Sequence, residues 1–204
     1  MFYIRHIGKM FIMKRLLLIL ILIFSFQTLT KADDIRDFEI EGMSIGDSLL
    51  DFMSKYEIKN NELQYFTTKR DYYIIGIFDD LKNYDQVEIY LRSNDKKYKI
   101  KTIAGMLKIN SLDKCLSDKI NIVKQVDNLF LNTNKQSDIK AHEADVSGVS
   151  KQYINQYNFN KMNHIRVECM QWSKKMKKER NFSNTLNVVV MADEVHNWIM
   201  GGYK

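Results

Sequence analysis

The chain has 204 residues, 45% of them hydrophobic and 27% charged, with no proline and two cysteines. That composition suits a single globular core and argues against a disordered chain. Basic residues outnumber acidic ones 31 to 25, but Arg5, Lys9, Lys14, Arg15 and Lys31 all precede residue 33 and no acid does, which leaves 26 against 25 thereafter. A near-neutral remainder argues against a nucleic-acid-binding field.

Met13-Lys14-Arg15, the apolar run from Leu16 to Phe26 and the polar stretch ending at Ala32 predict a signal peptide over residues 1–32. A basic start, an h-region of about 7–15 residues and a small residue at the end define that class. The run is about half of the ~20 apolar residues that a bilayer span needs. Cleavage near Ala32 would place the protein in the periplasm or outside the cell; an uncleaved N-terminal anchor is the alternative. No cysteine follows the run, so a lipid-anchored form is not expected.

Two α+β subdomains are expected beyond the leader, at 33–108 and 109–204, as one compact unit or two fused ones. In the first, Phe38 to Glu41 alternates as a short strand. Gly42-Met43-Ser44 then opens a helix, with Ser44 as N-cap, Asp47 completing a capping box, and Ile45, Leu49, Leu50, Phe52 and Met53 at helical spacing up to Tyr56. Gln64 to Thr68 is a weak strand. Tyr72–Phe78, Val87–Leu91 and Tyr98–Ile103 are clearer ones, the last two joined by the turn Ser93-Asn94-Asp95-Lys96.

In the second, Ser111 caps a long helix whose stripe runs through Leu112, Cys115, Leu116, Ile120, Val123, Val126, Leu129 and Phe130. Asn132 to Asp138 reads as an exposed loop, and Gly148 as a turn. Lys151–Phe159 and His164–Trp172 are strands around a turn at 160–163, with Ile165, Val167 and Cys169 on one face. Lys174 to Asn184 reads as a charged loop, Leu186–Met191 as a buried strand, and Asp193-Glu194 as the start of a helix that ends at Gly201-Gly202. The fold class is therefore α+β: antiparallel sheet with helices packed on one face, in two α-β-β-β arrangements.

Residues 38–106 resemble the small outer-membrane-assembly lipoproteins of the BamE/SmpA/OmlA type. The match lies in Gly42-Met43-Ser44 opening a helix, the strands Tyr72–Phe78 and Val87–Leu91, and a last strand ending Ile103-Ala104-Gly105. The resemblance implies helices on a three-stranded antiparallel sheet, a plan that beta-lactamase-inhibitor proteins repeat in tandem. The chain departs from it in lacking a cysteine after the leader and in its long second half. Cys169-Met170-Gln171-Trp172-Ser173 resembles stretches in uncharacterised secreted proteins of AT-rich bacteria, and the whole chain shares their composition.

An even pair of cysteines in an exported chain predicts a disulfide. Cys115 lies on the apolar stripe of the long helix and Cys169 on the inward face of a strand. Two buried thiols are the alternative.

Little else carries chemistry. His142, Glu143 and Asp145 form no metal-ligand spacing. Asp193, Glu194 and His196 read as helix-end polarity, and His164 as exposed beside a turn. Gly42 to Gly46 is a weak anion-turn pattern. Trp172, Lys174, Lys175, Lys177 and Lys178 form the one local basic cluster: a solvated surface, or a contact with anionic lipid anchored by Trp172. No catalytic, cofactor or metal constellation stands out. The expected role is an envelope protein-interaction or binding module whose partner is another envelope protein, with membrane contact less favoured. A periplasmic hydrolase with a hidden site and a small-ligand carrier are the alternatives.

Overall fold

The computed structural model describes residues 34–65, 70–159 and 163–203. The expected signal peptide, part of the weak strand at 64–68 and most of the turn at 160–163 lie outside the described residues.

Eight strands form one antiparallel sheet: β1 (Glu62–Leu63), β2 (Tyr72–Ile77), β3 (Gln86–Arg92), β4 (Ile100–Lys108), β5 (Asn134–Ala141), β6 (Lys151–Asn158), β7 (His164–Gln171) and β8 (Thr185–Met191). Their order across the sheet is β1-β2-β3-β4-β8-β7-β6-β5. Among the described residues the α-helices are α1 (Lys55–Asn60), α2 (Leu112–Leu129), α3 (Lys174–Arg180) and α4 (Asp193–Met200), with 3-10 turns at Ile35–Asp37 and Leu49–Asp51. The α+β class and its antiparallel pairing are as the sequence predicts. Each half contributes a four-strand meander, and the meanders join where β4 pairs with β8, from Thr102 facing Met191 to Lys108 facing Thr185. The position chosen as a subdomain boundary, residue 108, thus ends a strand that both halves share.

One sheet face is apolar and fully covered. Ile75, Val87, Ile89, Leu91, Ile103, Val167, Leu186, Val188 and Val190 are all buried there. The long helix α2 lies on β7 and β8, as its stripe predicts. Ser111 caps it, its hydroxyl accepting from the Lys114 N–H at 3.2 Å. Cys115 and Cys169 meet in a disulfide with their Cα atoms 5.9 Å apart, a spacing that a bridge spans without backbone movement.

The first half covers its share of that face differently. No helix starts at Ser44. Its hydroxyl donates to the Phe38 carbonyl instead of capping, and the Asp47 carboxylate accepts from the Ser44 N–H. Gly42 and Gly46 take φ of +79° and +94°, which a helix does not accommodate. The Gly46 and Leu49 N–H groups donate to the carbonyls of Ile100 and Tyr98. Tertiary pairing therefore outcompetes local propensity. Ile45 and Leu49 enter the core as their spacing suggests, but Ile45 from irregular chain and Leu49 from a single 3-10 turn, Leu49–Asp51. The helix starts at Ser54, whose side chain accepts from the Glu57 N–H while the Glu57 carboxylate takes the Ser54 N–H. The strand expected at Phe38–Glu41 is reduced to an isolated bridge between Ile40 and Met43.

Three further expectations change. β4 runs on to Lys108 rather than ending near Ile103. The expected loop after residue 132 is the edge strand β5, paired along its whole length with β6. Its polar side chains are exposed on both faces, so no alternation marked it. α4 packs on the second sheet face, where Val195 and Trp198 cover Tyr72, Ala104, Val189 and Met191. Both faces thus carry a helix.

Candidate functional site

The cluster singled out in the sequence is built on α3, not on a loop. Ser173 caps it, its hydroxyl accepting from the Met176 N–H, and Asn181 closes it in the left-handed conformation. Met176 alone points inward; Lys174, Lys175, Lys177 and Lys178 are exposed. One inward residue in seven gives no apolar period to read. Trp172 is half-buried on the face opposite Cys169, stacked between His142 and Phe182 with ring centroids 4.4 Å from each.

Asp145 is consumed by the loop that carries it. Its carboxylate accepts from the N–H and hydroxyl of both Ser147 and Ser150. Those bonds, Ser147 first, hold its pKa far below the usual carboxylate range. His142 turns Nδ1 to the Ala144 N–H, and burial lowers its pKa. Neither side chain is placed to share a cation with Glu143, and the described residues contain no group of three or more His, Cys, Asp or Glu side chains arranged for a metal.

At the start of α4, Glu194 is an anchor. It takes the Tyr72 hydroxyl at 3.1 Å, Lys101 Nζ at 2.6 Å and Arg92 at 3.5 Å. Burial alone would push its carboxyl up, but Lys101, Tyr72 and Arg92 together hold it below the ordinary value. His164 is buried rather than exposed, with the His196 ring edge-on at 5.2 Å.

Two carboxylates on the second face were not foreseen. Glu88 takes the Tyr65 hydroxyl and the Gln86 amide at 2.7 and 2.8 Å. Glu168 lies 3.3 Å from Arg166 and accepts from Asn187. Both are buried. They lie on β3 and β7, with β4 and β8 between them. Three strand spacings separate them by about 14 Å, beyond the reach at which two carboxyl groups flank one glycosidic bond.

A concavity of about 500 Å³ sits at the corner of α1, β1 and β2. Lys55 and Lys59, one helical turn apart on α1, line it together with Arg70, whose guanidinium donates to the Tyr203 carbonyl at 3.0 Å, with Tyr73 and Tyr98 on the wall and Glu62 as the single acid. Lys55 Nζ lies 5.9 Å from the centre of the Tyr98 ring. Tyr98 itself occupies the left-handed region, φ +52°, in the β3–β4 connection. The Tyr73 phenol is pushed up to about 12, by burial first and then by Tyr98 and Glu62, so it stays a neutral hydrogen-bonding group. A smaller hollow of about 250 Å³ continues past Arg70 to Arg92. These side chains come from separate segments whose convergence no local pattern announces. Together they can hold an anion against aromatic rings.

Compared with known proteins, the chain matches no family model, no curated protein and no solved structure.

Proposed function

We propose that the protein is an exported binding module whose α1–β2 cleft takes a small anionic ligand. The carrying observation is the convergence of Lys55, Lys59 and Arg70 on one concavity walled by Tyr73 and Tyr98. Concave sites with a few converging polar groups are the usual ligand sites. Cations beside aromatic faces suit a carboxylate or phosphate joined to an apolar body. Export is supported by the leader sequence and by the disulfide, which persists in oxidising compartments. Among the described residues no helix is long and apolar enough to cross a membrane.

The test is a titration of the isotope-labelled protein with benzoate, succinate and inorganic phosphate, read by amide shifts. Saturable shifts at Lys59, Tyr73 and Tyr98 are expected with at least one probe. The double change Lys55→Gln and Lys59→Gln should weaken that probe by about tenfold, the loss of roughly one charge-assisted contact. Absence of cleft shifts with all three, or unchanged affinity in the double variant, overturns the reading.

A second reading rests on β5, which pairs on one side only and exposes all eight of its residues. An envelope protein that adds a strand to this edge would use the binding mode of sheet augmentation. Capture of one partner by the wild-type chain, lost when β5 carries a proline, supports it.

A further inference from the structure

The loop 142–150 and α3 meet at one corner of the molecule and carry two features the fold itself does not use. Val146 is 100% exposed and Val149 62%. They are not on a slack loop. The His142 N–H donates to the Ser150 carbonyl, closing the loop at its base, and the Asp145 and Gly148 N–H groups donate back to His142 and Asp145. The Asp145 carboxylate fills the interior with four further bonds. Two valines are thereby held out in water by a hydrogen-bonded frame. Exposed aliphatic groups gain nothing in the isolated protein, and ordering the frame costs conformational entropy.

The second feature is charge. α3 reads Lys-Lys-Met-Lys-Lys-Glu-Arg, five cations to one acid. The loop is tied to its start, because the Ser173 N–H donates to Ser150 Oγ at 2.9 Å. Phe182, 37% exposed, lies just past the end of α3, packed on Trp172. Lys151, next after the loop, adds a further cation, against Glu143 and Asp145 within the loop, the latter buried and bonded to Ser147 and Ser150. The chain from residue 33 is close to neutral overall, so this concentration is local to one corner.

We propose that this corner docks on an anionic phospholipid bilayer, with Val146 and Val149 entering the headgroup–acyl boundary and Lys174, Lys175, Lys177, Lys178 and Arg180 lying on the lipid phosphates. The occupant follows from complementarity on both counts. A bilayer surface offers apolar depth beside a layer of phosphate, and apolar insertion combined with basic side chains is how peripheral proteins hold such surfaces. A free polyanion would engage the lysines and leave the valines in water. The anchor is the valine pair with Phe182, not Trp172, which is already spent on His142 and Phe182. The proposal is independent of the cleft, whose residues lie on the other half of the sheet.

The experiment is co-sedimentation of the protein, from residue 33 onward, with vesicles of phosphatidylethanolamine and phosphatidylglycerol, and separately with phosphatidylcholine alone. Binding is expected to the first and not the second, and to fall as salt rises. Changing Val146 and Val149 to Ser should weaken it about tenfold at unchanged charge, as expected for removing two inserted aliphatic side chains. Changing Lys174, Lys175, Lys177 and Lys178 to Gln should abolish the salt-sensitive part. All six positions are exposed, so the thermal midpoint should stay at the wild-type value and serves as the control for folding. No binding to the anionic vesicles overturns the proposal. So does binding that survives both variants, or binding that the valine variant leaves intact while soluble polyaspartate competes fully; the last result would make the corner a site for an acidic macromolecule.

Discussion

The two halves of the sheet solve one problem in two ways. Each is a four-strand antiparallel meander preceded by a helix, and each must cover an apolar face. The second half does so with α2, eighteen residues long and bonded to β7 through Cys115–Cys169. The first has only the six-residue α1 with Ile58 inward, and fills the remainder with Ile40, Met43 and Ile45 from irregular chain and with Ile35 and Leu49 from two three-residue 3-10 turns. A periodic helix covers a face through a repeated local pattern. Irregular chain does so through backbone hydrogen bonds to the far end of a strand, such as Gly46 to Ile100. The first half should therefore be more sensitive to single side chains and less tolerant of local opening.

The sharpest way to break the comparison is to cut one tie in each half. Leu49 is fully buried, and Leu49→Ala should cost about 2–5 kcal/mol, as large-to-small changes in a core do. Cys115→Ser should cost about 2–4 kcal/mol, chiefly by freeing the unfolded chain. Denaturant unfolding measures both. If the cysteine variant loses more than the leucine variant, the irregular half is not the more sensitive one. In the native oxidised chain, alkylation should label neither cysteine.

Caps give a smaller contrast. Ser54→Ala and Ser111→Ala should each cost about 1 kcal/mol. Their reach should differ, because six residues cannot sustain a helix without their cap while eighteen can fray and survive. Amide exchange at Ile58 should quicken in the first variant, and exchange at Val126 should stay unchanged in the second. Equal local effects would erase the distinction.

The smallest effect concerns charge on the second face. Burial raises the Glu88 carboxyl, against the opposing bonds from Tyr65 and Gln86. With the folded value above the unfolded one, the contribution of Glu88 to stability is fully present below the ordinary carboxylate range, about pH 4, and is lost as pH rises through the folded value. Glu88→Gln keeps an acceptor for both partners and removes the charge. It should raise the melting midpoint at pH 7 and leave it unchanged at pH 3. A lower midpoint at pH 7 would mean that the ionised form is what Tyr65 and Gln86 stabilise.

What could be read in advance follows the same division. The α2 stripe, α4 and the strands β3, β6 and β7 rest on period 3.6 or period 2, β2 and β8 on near-continuous apolar runs, and the disulfide on an even cysteine pair placed on inward faces, all of them visible in the chain. Segment 38–54 has helical spacing of its apolar residues, but the positive φ at Glu41, Gly42 and Gly46 and the bonds to Tyr98 and Ile100 decide it, and neither shows locally. β5 has no inward face to betray it, and α3 has a single inward methionine. The cleft assembles Lys55, Lys59, Arg70, Tyr73 and Tyr98 from distant stretches. Lysines in a lysine-rich chain attract attention where they adjoin in sequence, at 174–178, and pass unnoticed where folding gathers them.

The place of β8 in the sheet has a consequence for how the protein comes into being. It is the eighth strand in sequence but sits at the centre, with β4 on one side and β7 on the other. As the chain emerges from its N-terminal end, β1 to β4 can pair early, yet β4 then presents a bare edge with Ile103 and Gly105 among its residues until Thr185–Met191 arrives. A bare apolar edge invites pairing with another chain. Contacts so distant in sequence also form slowly. Productive folding thus favours release of the whole chain before the sheet is laid down, as occurs when a polypeptide is threaded unfolded through a pore and folds on the far side.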